Sequence, residues 1–431
     1  MIKVGDSLQI KIEKGAQYII DTLYDNGFEA FIVGGCVRDS LMGKMPKDWD
    51  IATNALPTDV QSIFDKTIPT GIKHGTVTVV HDDINYEVTT YRVDGEYLDM
   101  RRPREVTFSK NIIEDLSRRD FTINAMAYND RVGLVDEFGG VHDISKKTIK
   151  CVGNPNKRFN EDALRIIRAV RFSSKLGFNI DEETLNSMKN NSNNIKQISF
   201  ERINCEIEEI ICSDVSFLNV FNALGISDYI FGSDRMVFEN YNFNKLAIGD
   251  GFYELEYEMA LKRAMLYERV KENQVLNSMK RLKYSKKDIL STVGIHKVLN
   301  EKYHAIDNLS SSVLNDEKNL LKDEKKLLKI ELKNILRNTS NIKLAKFAIY
   351  SKFMKKKSNP CVCFSVFDDI IEKGECFSIS QLDINGKLLI ENGFKNGITI
   401  GIVLNRLLDY VIENPEFNSR DKLVLLSKNI I

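Results

Sequence analysis

Asp48 and Asp50 flank Trp49, a short way beyond the segment Gly34-Gly35-Cys36-Val37-Arg38-Asp39. On an extended strand, residues i and i+2 face the same way, so the two carboxylates project together and Trp49 projects oppositely. Their Cα atoms then lie about 6.5–7 Å apart. That span suits two carboxylates converging on hard cations about 3.5–4 Å apart. Upstream, the glycines let backbone approach a phosphate closely, because no Cβ intervenes. The N–H groups at the start of the helix that follows favour anions. A phosphate cradle beside a metal-binding pair points to phosphoryl or nucleotidyl transfer. Each half alone is weak, since paired acidic residues are common on solvated strands and Gly-Gly most often marks a turn.

Two further segments concentrate chemistry. In Arg118-Arg119-Asp120-Phe121-Thr122-Ile123-Asn124-Ala125 the pattern predicts two cations at a helix start with Asp120 as cap. The helix dipole disfavours cations there, and a triphosphate or a metal-site carboxylate would resolve the conflict. In Glu161-Asp162-Ala163-Leu164-Arg165, Asp162 and Arg165 are i,i+3 neighbours on one expected helix. A carboxylate accepts and a guanidinium donates. Cytosine and adenine both present an exocyclic amino donor beside an unprotonated ring nitrogen, whereas guanine and uracil do not. The pair therefore matches C and A and leaves buried groups unpaired against U and G. Arg168 and Arg171 follow at three-residue steps, which places Arg168 near the nucleotide and Arg171 in a supporting or phosphate-side position. The plain alternatives are a capped helix with surface arginines and a solvated i,i+3 ion pair.

The elements that position these groups can also be read. Helical spacing spans residues 8–26 and ends at Asn26-Gly27. Buried strands are expected over 28–33 and 48–52, and a helix from Pro57 to Phe64. Alternating runs at 75–80 and 86–91, joined by Asp82-Asp83-Ile84-Asn85, predict a hairpin. Residues 92–105, with Arg101-Arg102-Pro103-Arg104, have no periodicity and read as a mobile loop. A last strand is expected within 132–136. From Phe159 onward the spacing is helical and proline is nearly absent up to Pro360. The architecture expected is α+β. A mixed-sheet head (1–148) is followed by an elongated all-helical neck (149–212), body (213–318) and tail (319–431). The lysines at 343, 346, 352, 355, 356 and 357 form a basic stretch in the tail.

Composition narrows the class. The 431 residues carry 61 basic and 61 acidic side chains, so no global charge advertises nucleic acid and any footprint must be local. Seven cysteines contain no C-x-x-C pair, which argues against zinc and fits a reducing cytosol. No apolar run approaches membrane-spanning length and the first residues have no signal-like apolar core. The expectation is a cytoplasmic protein.

Taken together, these motifs resemble the class II tRNA nucleotidyltransferases, a family that includes CCA-adding enzymes and bacterial poly(A) polymerases. The likeness runs through the glycine turn and Asp48-Trp49-Asp50-Ile51-Ala52-Thr53, then Thr70-Gly71-Ile72-Lys73-His74-Gly75-Thr76-Val77 and Glu87-Val88-Thr89-Thr90-Tyr91-Arg92. It continues through Arg118–Ala125 and Glu161–Arg171 and is densest over 28–175. Beyond that it rests on Ser199-Phe200-Glu201-Arg202-Ile203 and Leu382-Asp383-Ile384-Asn385-Gly386. It is most like a bacterial CCA-adding enzyme.

The resemblance implies two-metal transfer with Mg2+, in which a tRNA 3′-hydroxyl attacks the α-phosphate of CTP or ATP and pyrophosphate leaves. Asp48 and Asp50 would hold the metals. Gly35, Arg38 and Arg119 would contact the nucleotide, Asp162 and Arg165 would read the base, and Arg168 and Arg171 would complete the pocket. Glu87 is either a third catalytic carboxylate or a partner within the sheet. The helical half would grip the tRNA acceptor arm, with the basic stretch as a candidate contact, in a monomer or homodimer. The loop at 92–105 disfavours CC-only addition. A-only addition, poly(A) synthesis, a signalling nucleotidyltransferase and a non-catalytic RNA-binding protein remain as alternatives.

Overall fold

In a computed structural model, residues 9–95, 106–232, 236, 238, 255–307, 321–339, 341–356, 361–395 and 397–430 are described. They form two compact units, residues 1–230 and 231–431.

The first unit begins with helix α1 (Lys14–Asp25), capped by Glu13, whose Oε2 accepts from the Gly15 and Ala16 N–H groups. The helix starts later than the spacing predicts. Its apolar stripe, Ala16, Ile19, Ile20 and Leu23, is buried. Strand β1 (Ala30–Val33) follows, then α2 (Gly35–Leu41), β2 (Ile51–Thr53) and α3 (Pro57–Ile63). Next come β3 (Thr67–Gly71), β4 (Thr76–His81) and β5 (Ile84–Thr90).

The β4–β5 hairpin is tighter than expected. His81 pairs with Ile84, leaving a two-residue turn. Asp82 and Asp83 both take positive φ (48° and 59°), as such turns require, and Asp tolerates that conformation better than most residues.

The expected loop at 92–105 is structured at its ends. Strand β6 (Arg92–Asp94) pairs antiparallel with β7 (Val106–Phe108). Its middle, with Arg101-Arg102-Pro103-Arg104, lies outside the described residues. Helix α4 (Ile112–Ser117), β8 (Ala127–Asn129), β9 (Gly133–Val135) and α5 (Gly140–Ser145) complete the head. The main sheet has the order β3-β4-β5-β2-β1-β8-β9. It is mixed, because β2 and β5 run parallel while the other adjacent pairs are antiparallel. Phe31, Val33, Ala52, Tyr91, Leu116 and Ala125 build a core beside it.

A two-stranded parallel ribbon, β10 (Thr148–Ile149) and β11 (Asn179–Ile180), leads into helices. These are α6 (Pro155–Glu161), α7 (Leu164–Leu176), α8 (Glu182–Asn191) and α9 (Phe200–Ser213). The one helix expected to carry Asp162, Arg165, Arg168 and Arg171 is therefore broken. Asp162 is extended (φ −147°, ψ 105°) and separates α6 from α7.

The second unit is helical throughout its described residues, from Leu255 to Ser427. One core joins residues of helices Leu255–Leu266, Lys286–Asn300, Lys322–Thr339, Ile342–Lys356 and Cys361–Glu372. A second core centres on helix Ile398–Glu413. Lys333, almost fully buried, meets Glu375 at 2.7 Å and the Ile412 carbonyl at 3.4 Å. Two lysines of the basic stretch are engaged within this unit rather than arrayed in solvent. Lys346 pairs with Asp368, and Lys352 donates to the Glu301 carbonyl at 2.8 Å. Lys357 and the side chains of Lys355 and Lys356 lie outside the described residues. No helix among the described residues is long and apolar enough to cross a membrane.

Candidate active site

A cleft of about 530 Å³ opens in the first unit. Gly34 and Gly35, Arg38, Asp50, Arg118, Arg119, Asp120, Asn124, Asp162, Leu164, Arg165, Arg168, Arg171, Phe172, Lys175 and Arg202 line it. Every expected nucleotide contact is among them. Asp48 and Glu87 are not.

The glycine turn is built for close approach. Gly34 caps α2 with φ +75° and no side-chain acceptor for the helix N–H groups. A Cβ there would stand 2.7 Å from Arg119 Nη1. Arg38, one turn into α2, is buried. Its Nη1 donates to Asn124 Oδ1 at 2.6 Å and its Nε to Asp39 Oδ1 at 2.9 Å.

Asp48, Trp49 and Asp50 precede β2 rather than lying inside it, but the expected alternation is visible. Trp49 is buried and both aspartates are exposed. The Asp50 carbonyl still accepts from the Val33 N–H at 2.9 Å, which extends the sheet register. Ile51 pairs with Val88 across the parallel β2–β5 ladder, so one step back brings Asp50 alongside Glu87. Although the Asp50 side chain meets solvent, the protein packed around it partly desolvates the carboxyl and raises it above its ordinary value. Arg119 opposes that shift, and the neighbouring Glu87 and Asp48 carboxylates add to it.

Mutual repulsion of this kind is what a divalent cation relieves. Among the described residues no cluster of three or more His, Cys, Asp or Glu could hold a metal on its own. Two carboxylates on one face therefore fit a cation that arrives with phosphate oxygens, the usual magnesium arrangement, better than a closed protein cage.

The arginine pair sits differently from expectation. Arg118 is the C-cap of α4, so the cations lie at a helix end where the dipole favours them. Asp120 caps no helix. It accepts from Arg168 Nε at 2.8 Å, Arg168 Nη2 at 2.6 Å and the Phe121 N–H at 2.9 Å. Burial would raise the Asp120 carboxyl, but Arg168, with these bonds, holds it below the usual range. Asp115, absent from the sequence reading, is buried. Burial pushes its carboxyl up, and Arg118 at 2.7 Å and Arg119 at 3.4 Å more than offset that. Its spacing of three and four residues from the two arginines on a helix was the available signal.

The Asp162–Arg165 pair is not one helix face, because Asp162 lies in the break. Both residues nonetheless reach the same cleft. Arg165 Nη1 donates to Glu161 Oε2 at 2.7 Å and Nη2 to the Arg118 carbonyl at 3.1 Å. Asp162 meets Arg202 of α9 at 2.7 Å. Glu206, also on α9, meets Arg171 at 2.5 Å and Arg168 at 3.6 Å. Phe172 carries three guanidiniums near its ring, Arg171 at 4.1 Å, Arg168 at 5.4 Å and Arg38 at 5.5 Å. Asn124 and Glu206 were not singled out from sequence, because their partners Arg38, Arg168 and Arg171 are distant along the chain; Glu161 was not singled out although its partners Arg158 and Arg165 lie three and four residues away.

This arrangement of a mixed-sheet head and following helices is similar to that of known nucleotidyltransferases. Residues 30–150 match the poly A polymerase head domain, and residues 177–231 match the probable RNA- and SrmB-binding site of polymerase A. These two stretches of the chain are similar to the tRNA nucleotidyltransferase and bacterial poly(A) polymerase family.

The CCA-adding enzyme of Limosilactobacillus reuteri is 46% identical over 222 residues, covering 51% of this chain and 55% of the relative. That of Oceanobacillus iheyensis is 53% identical over 195 residues, covering 45% and 49%. The chain thus matches about half the length of these curated relatives. The Bacillus stearothermophilus CCA-adding enzyme in complex with CTP aligns over 96% of both chains, with 29% identity and a TM-score of 0.64. The Thermotoga maritima CCA-adding enzyme complexed with tRNA aligns over 97% of this chain and 96% of the other. At 18% identity and a TM-score of 0.58 it speaks to fold alone.

Proposed function

We propose that the chain is a CCA-adding enzyme of the cytoplasm. It adds C, C and A without a template to the 3′ end of tRNA, using CTP and ATP with Mg2+. The observation that carries this reading is the lining of one cleft. Eight cationic side chains (Arg38, Arg118, Arg119, Arg165, Arg168, Arg171, Lys175 and Arg202) face it with three carboxylates (Asp50, Asp120 and Asp162), in a chain of zero net charge. Such a lining suits a triphosphate, and it brings Asp50 together with the Asp162–Arg165 pair that matches C and A. The relatives named above, and the neighbour bound to CTP, support the same substrates.

Asp48 and Asp50 would hold the cations, with Glu87 beside Asp50. When bound, these ions activate the hydroxyl and neutralise the leaving pyrophosphate. Gly35, Arg38 and Arg119 bind the nucleotide's phosphates and sugar. Asp162 accepts from the base amino group while Arg165 donates to the ring nitrogen. Arg168 and Arg171, fixed by Asp120 and Glu206, close the pocket. The 3′-oxygen bonds to the α-phosphorus, the bond to the β-phosphate oxygen breaks, and the hydroxyl proton is released. Catalysis is then mainly positioning and charge stabilisation.

The test offers purified protein three tRNA transcripts, ending before CCA, after C and after CC, with each nucleotide and Mg2+. Completion of CCA on the shortest transcript is expected, and Asp50→Asn lowers it by more than the roughly 10–100-fold that loss of a group merely supporting a metal ligand causes. Extension of the CC form alone means an A-adding enzyme, and a long A tail means a poly(A) polymerase. No incorporation on any transcript refutes the enzyme.

A further inference from the structure

The segment Ser199-Phe200-Glu201-Arg202-Ile203 has so far entered only as part of the family likeness. Arg202 stands in the first turn of α9, where the helix dipole disfavours a cation, and Ser199 at the cap makes no side-chain bond to the helix. The Arg202 side chain is about three-quarters buried and is committed to one carboxylate. Its Nη2 donates to Asp162 Oδ2 at 2.7 Å and its Nη1 to Oδ1 at 3.4 Å. The Leu164 N–H also donates to Oδ1, at 3.0 Å. A carboxylate offers about four acceptor positions. Three are therefore taken within the protein, and the remaining position is on Oδ2. A cation placed against local helix preference, with its fork closed on a group that lines the cleft, is the kind of local conflict that marks a functional constraint.

We infer that Arg202 is a positioning residue for base selection, holding Asp162 so that a single acceptor is left for the amino hydrogen of C or A. The inference rests on the base-reading role proposed above for Asp162. A carboxylate free to turn could swing away from the carbonyl of uracil or guanine and admit a water between them. Held at both oxygens, it cannot, and the mismatch stays unrelieved. With its fork closed on Asp162, Arg202 contributes charge to the cleft but acts chiefly on discrimination. Lysine in its place would keep the charge but not the planar two-point grip.

The experiment measures equilibrium binding of CTP and of UTP to the full chain with Mg2+ and without tRNA, by titration calorimetry. The wild type, Arg202→Met and Arg202→Lys are compared, with a thermal unfolding curve for each. The wild type is expected to prefer CTP. Arg202→Met is expected to lower the CTP-to-UTP affinity ratio at least tenfold, and Arg202→Lys to lower it by an intermediate factor, at unchanged unfolding midpoints. A ratio within twofold of wild type in a folded Arg202→Met overturns the inference and leaves the base-reading proposal standing. An equal weakening of CTP and UTP shows a structural role and also overturns it. Should Arg202→Met fail to fold, the lysine variant decides by the same ratio. A wild type with no preference between the two nucleotides refutes base reading by Asp162, and the inference with it.

Discussion

Asp120→Asn is the sharpest probe of how the cleft is held. In the native state Asp120 takes both the Nε and Nη2 hydrogens of Arg168, at 2.8 and 2.6 Å, and is itself buried. A hydrogen bond to a charged group contributes roughly 1.5–3 kcal/mol net, and stripping one partner from a buried pair costs about 3–5 kcal/mol. Two features reduce that figure. The Arg168 side chain is about a third exposed, so water screens part of the loss. Glu206 remains 3.6 Å away, and asparagine keeps one acceptor oxygen. The expected destabilisation of the first unit is therefore about 2–3 kcal/mol. Trp49, the only tryptophan of the chain, is buried in that unit, so its fluorescence follows urea unfolding there without interference from the helical second unit. Because the folded carboxyl lies below its ordinary value, its contribution is complete at neutral pH. It begins to fade as the unfolded-state carboxyl protonates near pH ~3.9 and is lost only as pH falls through the lower folded value. The wild-type-minus-mutant difference should hold constant from pH 7 to about pH 5 and shrink below it. A difference under about 0.5 kcal/mol at pH 7, or one that grows in acid, refutes the reasoning.

Two other expectations concern single positions. Gly34→Ala meets both a positive φ and a 2.7 Å approach to Arg119 Nη1; strain of about 1–3 kcal/mol and a shifted guanidinium should raise the KM for CTP about tenfold or more, and an unchanged KM in steady-state incorporation would show that the turn does not position Arg119. In the second unit, Glu375→Gln should destabilise more than Lys333→Met, because the first strands an almost fully buried ammonium while the second leaves Glu375 with Lys329; thermal unfolding of the two variants decides, and the reverse order contradicts the pairing.

The head was legible because its signals are short-range. Alternation along Thr76–His81 and Ile84–Thr90 identified the hairpin, and the apolar stripe of Lys14–Asp25 identified the first helix. Ala127–Asn129 was missed because all three residues are buried, between β1 and the edge strand β9, so no alternation marks them. The break at Asp162 was missed for a different reason. Pro155 to Leu176 contains no glycine and no internal proline to punctuate a helix, so spacing alone runs through it. Yet aspartate is a strong helix-capping residue, and the Asp162 carboxylate does accept from Leu164 N–H two residues on. The local signal was present, but the helix pattern on both sides outweighed it. The anchors of Arg168 and Arg171 were not legible, since Asp120 and Glu206 are 48 and 35 residues away from them and only the tertiary fold brings them together, whereas Asp39, Asp115 and Glu161 lie within four residues of their arginines.

The same anchors explain how a neutral chain presents a strongly basic cleft. Arg38 is tied to Asp39, Arg118 and Arg119 to Asp115, Arg165 to Glu161, Arg168 to Asp120 and Arg171 to Glu206. Of these five carboxylates only Asp120 belongs to the cleft lining. The neutralising charge therefore stands mostly outside the surface a ligand meets, while each guanidinium keeps the hydrogens its anchor does not occupy. Packing several like charges around one space is costly without such partners, and a flexible set would have to be ordered by the ligand at the expense of affinity. Anchored guanidiniums need little reorganisation when a triphosphate arrives, which is the condition under which electrostatic stabilisation is most effective. Removing one anchor has two opposed effects: it raises the positive charge of the cleft, and it frees an arginine from its place. If tighter binding of a triphosphate followed, charge alone would govern the site; if weaker binding followed, placement would. The bidentate grip of Asp120 on Arg168 and the two-oxygen grip of Arg202 on Asp162 both point to placement.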